Sequence, residues 1–190
     1  MGSSKAALSW RGGTLLDHVV GVLRAAGCGR LVVVRAPDQT LPPLPDDVVV
    51  VQDPVAGRGP LQGIAAGLAA VEEEPAVFVA AVDMPLLHPA FVHAVRRALT
   101  ADDDVVLPVA RGYPQPLAAV YRTALAPVVA ELVDAGARRP GELFAQVRVR
   151  RLDEAALLAD PALAAADPRL DALVNVNDPD EYDRVAGHIQ

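Results

Sequence analysis

Two residues carry most of the chemistry legible in this chain. Asp83 ends an apolar run, Ala76-Val77-Phe78-Val79-Ala80-Ala81-Val82, and is followed by Met84 and Pro85. Such a run suits a strand buried on both faces of a parallel sheet. Pro85 cannot continue a central strand, so the chain must leave the sheet there. Asp83 then falls at the carboxyl edge, where open α/β sheets bind ligands. A carboxylate held at that edge suits a hard cation such as Mg2+, which prefers oxygen ligands and brings phosphates with it. A lone strand-end Asp is also an ordinary cap for the next helix. The second residue is Lys5. Of 17 basic residues it is the one Lys, and the others are Arg. An ammonium is a compact point charge and a guanidinium a broad planar fork, so a site shaped for the first does not accept the second.

The elements that must position these residues alternate. Thr14–Ala26 has helical apolar spacing, with Thr14 and Asp17 at its start and Gly27 at its end. Leu31–Val34 and Val48–Val51 read as short buried strands, the second leading to Asp53, with a Pro-rich loop at Asp38–Asp46 between them. The loop Pro54–Gly59 opens a helix from Pro60 to about Glu73, with Pro in its first turn. A helix is expected near Pro89–Leu99. Strands are expected at Val105–Val109 and Leu117–Tyr121, flanking the turn Arg111-Gly112-Tyr113-Pro114. Ala124–Ala135 reads as a helix closed by Gly136, and Val147–Leu152 as an edge strand because polar and apolar residues alternate. Asp160–Asp171 reads as a surface excursion, Leu173-Val174 as a short strand and Asp178–Ile189 as a final helix. Short buried strands between helices predict βαβ units, a mostly parallel sheet and one α/β domain over residues 1–190.

Composition narrows the function classes. The chain has 190 residues, 52% hydrophobic and 4% aromatic, so its core must be Ala, Val and Leu. The single Cys28 leaves no internal disulfide or cysteine metal cluster, which fits a reducing cytoplasm. No apolar stretch approaches the length of a membrane span, and no leader pattern opens the chain. A net charge of −7 argues against a nucleic-acid surface. The four histidines, His18, His88, His93 and His188, sit in helical segments without catalytic partner motifs, so surface or capping roles are expected.

Several weak features line up in chain order. Met1-Gly2-Ser3-Ser4-Lys5 is a small-residue turn carrying the Lys, and Gly57-Arg58-Gly59-Pro60-Leu61 opens a helix whose N–H groups can face an anion. Val82-Asp83-Met84-Pro85, Tyr113-Pro114-Gln115-Pro116-Leu117 and Asn175-Val176-Asn177-Asp178-Pro179 follow. In this order the chain resembles the MobA-like nucleotidyltransferases over essentially its whole length, most closely the molybdenum cofactor guanylyltransferases. The resemblance implies a Rossmann-like three-layer α/β/α sandwich and transfer of GMP from GTP to the terminal phosphate of molybdopterin. By the same resemblance Lys5 and Asp83 are the catalytic pair, with Asp83 the Mg2+ ligand. Gly2, Lys5, Asp53, Gly59 and Asp83 hold the nucleotide, and Gln115, Pro116, Asn175 and Asn177 lie on the pterin side. Transient contacts with other cofactor-biosynthesis proteins or acceptor molybdoenzymes follow from that role.

Two departures stand out. The family's Leu-Ala-Gly-Gly strand and phosphate loop are not in this sequence, which begins at what looks like the Met-Gly of the motif Arg-Met-Gly. A central strand and most backbone donors for the triphosphate are therefore expected to be lacking, giving weak GTP binding, lowered stability and association through strand edges. Arg35 stands where the guanylyltransferases carry Asn near the base, so guanine selectivity is open. A sister cytidylyltransferase is the alternative enzyme, and the short length and Asn-x-Asn ending disfavour the sugar-phosphate enzymes. A degenerate relative serving as a binding or regulatory module is the alternative outside catalysis.

Overall fold

The structure, a computed structural model, describes residues 5–54, 57–71, 73–176, 182 and 185. A 3-10 turn, Lys5–Ala7, leads into a small hairpin, β1 (Ser9–Trp10) and β2 (Gly13–Thr14). Helix α1 (Leu15–Ala25) starts on a capping box: Thr14 accepts the Asp17 N–H and Asp17 accepts the Thr14 N–H. β3 (Leu31–Arg35) and β4 (Val48–Gln52) pair in parallel, and α2 (Pro60–Ala69) follows. That helix ends earlier than expected, because the Ala70 and Val71 N–H groups turn back three residues to Gly67 and Leu68 and tighten its last turn. β5 (Ala76–Ala80) precedes α3 (Pro89–Arg97), whose first turn is capped by the His88 Nδ1 accepting from Ala90.

The second half builds the rest of the sheet. β6 (Val105–Ala110) turns through Arg111-Gly112 into β7 (Tyr113–Pro114), and β8 (Ala118–Arg122) follows. Then come α4 (Ala126–Asp134), α5 (Pro140–Phe144), β9 (Val149–Leu152), α6 (Glu154–Leu158) and α7 (Pro161–Ala166). The strand order is β5-β8-β6-β7, with β9 parallel on β6. β5, β6 and β9 run one way, and β8 is inserted antiparallel between β5 and β6. Strand periodicity reports burial and carries no direction, so this reversal was not legible in the pattern.

Alternate residues of the sheet face opposite helical layers. Val105, Leu107, Ala119 and Tyr121 pack with α2, α4 and α5, while Val106, Ala118 and Val120 pack with α1 and α3. The fold is thus the expected three-layer α/β/α sandwich.

Two expectations need correction. Asp160–Asp171 holds a short helix and is packed: Asp160 caps α7 (Pro161–Ala166), and Leu163 and Leu170 are buried against α3 with Leu157. An Asp-Pro start followed by an Ala-rich run favours a helix, and Leu163 and Leu170 supply the buried face. Leu173 lies in a 3-10 turn, Asp171–Leu173, rather than a strand. The buried Asp167 carboxylate takes the Asp171 and Ala172 N–H groups, both at 2.8 Å, which removes donors that a strand ladder would use. The final helix expected at Asp178–Ile189 lies mostly outside the described residues. Tyr182 packs edge-on against Trp10, with ring centroids 5.7 Å apart.

At the opposite end of the sheet, Asp103 ties three elements together. Its carboxylate accepts from the Thr100 hydroxyl at 2.6 Å and from the Arg150 Nε at 2.7 Å. The Thr100 hydrogen bond and then Arg150 hold the carboxyl down to about 2. A depressed carboxyl pKa contributes stability above the unfolded value near 3.8, lost as pH falls toward 2. Asp103→Asn should therefore lower the melting temperature at pH 7 by roughly 2–6 °C, for a loss of about 1–2 kcal/mol. Thermal scans from pH 7 to pH 2 should show that gap closing below about pH 3, and a gap constant with pH would rule out the ionised pair as its source.

Candidate active site

The sheet brings Lys5 and Asp83 together across 78 residues of chain. Lys5 Nζ donates to Asp83 Oδ2 at 2.9 Å, with the side chains 31% and 20% exposed. Each residue is placed by a different constraint. β5 ends where its last pairing with β8 ends, and the Ala81 N–H donates to Leu117 O at 2.9 Å just beyond it. The chain then turns at Val82-Asp83, and the Asp83 carbonyl accepts the Val176 N–H at 2.9 Å. Lys5 opens the 3-10 turn that packs on α1 through buried Ala6.

Asp53 follows β4 at the same edge. Its N–H donates to the Arg35 carbonyl at 2.8 Å, and its carboxylate accepts from the Gln62 Nε2 in α2. Gln62 is a site residue that sequence reasoning missed. The available signal was its place in the first turn of the helix after Pro60, where a buried amide must find a partner. Arg35 reaches the Gln52 side chain at 2.9 Å and the Gln39 carbonyl at 3.2 Å, so its guanidinium is held at the ends of β3 and β4.

Gly59 precedes α2 with φ 88°, and a Cβ there would stand 2.7 Å from the Arg138 carbonyl. Only glycine suits both demands. The expected anion contact at this helix start is reduced: Pro60 has no N–H, and the Leu61 N–H donates to Arg138 O at 3.3 Å. Gly59 instead sets the close approach of α2 to the Arg138 loop, which aims Gln62 at Asp53. Gly59→Ala should lower the melting temperature by roughly 5–10 °C, for a left-handed penalty plus a backbone clash of about 2–3 kcal/mol. A scan with less than about 2 °C of change would show that the Arg138 loop yields freely.

On the other side of Asp83, Gln115 and Pro116 sit between β7 and β8. The Gln115 N–H donates to Pro108 O at 2.8 Å, and its side chain folds back to Tyr113 O at 3.3 Å. The Pro116 carbonyl accepts from the Tyr121 hydroxyl at 2.8 Å, and burial pushes that phenol's pKa well up. Asn175 is exposed and immediately precedes Val176, so it lies beside Asp83. Gly2 and Asn177 lie outside the described residues.

A cavity of about 540 Å3 runs from this edge into the molecule. β3 and β5 line its two sides, α1 (Leu16, Val19, Val20) covers one face and α2 (Gly63, Ile64, Gly67) the other. Arg35, Asp53, Gly59 and Asp83 all border it. β3 pairs with β4 alone and β5 with β8 alone among the described residues, so the facing edges of β3 and β5 have no strand between them. The slot lies in the middle layer of the sandwich, where the sequence departure predicts a lacking central strand.

Among the described residues no three His, Cys, Asp or Glu side chains converge to form a metal site. Asp83 alone fits Mg2+ in its usual nucleotide-dependent mode, in which one or two carboxylates act with substrate phosphates and water. No helix among the described residues is long and apolar enough to cross a membrane.

Residues 1–152 match the MobA-like NTP transferase domain. A Mycobacterium tuberculosis protein named as a probable molybdenum cofactor guanylyltransferase is 45% identical over 148 residues, covering 75% of this chain and 72% of that one. One of the same name from Mycobacterium ulcerans is 40% identical over 175 residues, covering 88% and 85%. The fold is similar to that of molybdopterin-guanine dinucleotide biosynthesis protein A from Archaeoglobus fulgidus, with a TM-score of 0.74 at 22% identity over 98% of this chain and 91% of that one. It is also similar to a Mycobacterium tuberculosis protein crystallised in complex with manganese, with a TM-score of 0.63 at 19% identity over 98% and 93%.

Proposed function

This chain belongs to the MobA-like NTP transferase family, and from that premise we propose that it moves GMP from GTP to the terminal phosphate of molybdopterin, releasing pyrophosphate. It is a nucleotidyltransferase, and its relatives at 40–45% identity carry the guanylyltransferase name. The observation that carries the reading is the Lys5–Asp83 pair at the carboxyl edge of β5, on a cavity that Asp53 shares.

The chemistry asks little of the side chains beyond position and charge. An oxygen of the acceptor phosphate attacks the α-phosphorus of GTP, a new P–O bond forms, and the bond to the β-phosphate breaks. The acceptor phosphate is already ionised near neutrality, so no general base is required. Lys5 supplies positive charge for the leaving pyrophosphate, exchanging its contact with Asp83 for phosphate oxygens. Asp83 would hold Mg2+, which would supply charge neutralisation at the phosphates. A divalent metal in a protein of the same fold supports that assignment. Asp53, fixed by Gln62 and by the Arg35 carbonyl, holds the nucleotide on the β3–β4 side. Gln115, Pro116 and Asn175 face the acceptor. GTP and molybdopterin are the partners, with transient contacts to other cofactor-handling proteins, in a cytoplasmic setting that the lone Cys28 suits.

Arg35 makes the base the point to test. Pyrophosphate release should be measured with molybdopterin and either GTP or CTP. Release at least about tenfold faster with GTP is the expected result. Faster release with CTP would make the chain a cytidylyltransferase, and none with either would leave a binding module.

A further inference from the structure

We infer that Tyr113 is the platform on which the planar ring of the acceptor stacks. The chain has one Trp, three Tyr and three Phe. All but Tyr113 are buried or half-buried, whereas Tyr113 is 72% exposed. Exposure alone means little for a single residue, but the backbone that carries this one is anchored. It closes a two-residue hairpin in which Ala110 pairs with Tyr113. The central residues Arg111 and Gly112 have φ 53° and 78°, the left-handed pair that matches strand twist in the tightest hairpins. The Arg111 N–H donates to Glu154 of α6 at 2.6 Å, and its guanidinium lies 3.9 Å from Asp171. Asp171 opens the turn that runs on through Asn175 to Val176, whose N–H holds the Asp83 carbonyl. The tip is therefore braced against the segment that borders the candidate catalytic carboxylate.

Position along the sheet selects the ring. Asp53 and Arg35 follow β4 and β3, on one side of Asp83, and Tyr113 stands at the carboxyl end of β6, in the hairpin arm that continues into β8, on the other. A nucleotide held by Asp53 puts its base away from Tyr113. The heterocycle on the Tyr113 side is then the acceptor's, a pterin under the function proposed above, on which this inference rests. A flat fused ring on an exposed phenol face gains stacking energy without needing a closed pocket.

The test uses pterin itself as probe, read by its own fluorescence on titration with the 190-residue chain. The wild type should quench it on binding. Tyr113→Ala should weaken binding roughly tenfold or more, and Tyr113→Phe should stay within about threefold because the ring face is kept. KM for GTP should not move in either variant, and the melting temperature of Tyr113→Ala should match the wild type because the side chain is exposed. Equal pterin affinity in Tyr113→Ala, or no pterin binding by the wild type, overturns the inference. Tyr113-dependent pterin binding without pyrophosphate release from GTP and molybdopterin would keep the platform and remove the transfer reaction.

Discussion

Asp83→Asn should reduce metal-dependent nucleotidyl transfer by at least about a hundredfold, the scale expected when a major electrostatic element at the reacting phosphate is lost. The substitution keeps size and removes charge. Asp83 is fixed through its backbone by Val176, and its side chain contacts Lys5 at 2.9 Å. The variant should therefore fold normally, with the loss confined to the site. Breaking one partly exposed ion pair costs little stability, on the order of 1 kcal/mol or less. Turnover at varied Mg2+ separates the roles: a metal ligand lost from the site should raise the metal concentration needed for half-maximal rate. Calorimetric titration of the GTP–Mg2+ complex provides a readout independent of turnover. A variant with near-normal rate and metal dependence would take Asp83 out of the chemistry and leave the Lys5 contact as a structural ion pair.

The second large effect should come from the slot between β3 and β5. An apolar segment of about five to seven residues, placed in frame ahead of residue 1, should enter it as a parallel strand and raise the melting temperature by roughly 10 °C or more. Geometry favours the segment's path. Lys5 stands at the carboxyl end of β5, so a strand leading into it would run in the direction of β5 and leave the slot at the right edge. Two facing rows of backbone groups would gain partners, each net hydrogen bond contributing about 1 kcal/mol, together with apolar burial against α1 and α2. GTP affinity should rise with it, because a strand ending beside Asp83 brings backbone N–H groups to the phosphate edge. Thermal scans and GTP–Mg2+ calorimetry on the two lengths decide the matter. Equal melting temperatures would mean that β3 and β5 close on each other without help. Low-micromolar GTP binding by the 190-residue form as a stable monomer would mean that the added segment contributes nothing to nucleotide binding.

What the sequence determined by itself was local. Thr14 with Asp17 marks the start of α1, Pro60 and Pro89 mark the first turns of α2 and α3, and Gly136 marks the end of α4, because caps and fixed φ angles act within a few residues. The valine-rich runs marked β3, β4 and β5 because burial on both faces leaves no room for polar residues. The order of motifs then identified the family, and with it the residues to watch. Only the tertiary structure decided which of these meet. Strand pairing joins segments far apart in the chain, and nothing in the apolar pattern of β8 said that it would run antiparallel between β5 and β6. The Leu163 and Leu170 contacts with α3 turned an expected surface excursion into core, because burial depends on what packs opposite. Gln62 reached Asp53, and Gly59 met the Arg138 carbonyl, through packing of α2 that has no local signature. The Lys5–Asp83 contact belongs to the same class: spacing along the chain could nominate both residues, and the sheet edge brought them to 2.9 Å.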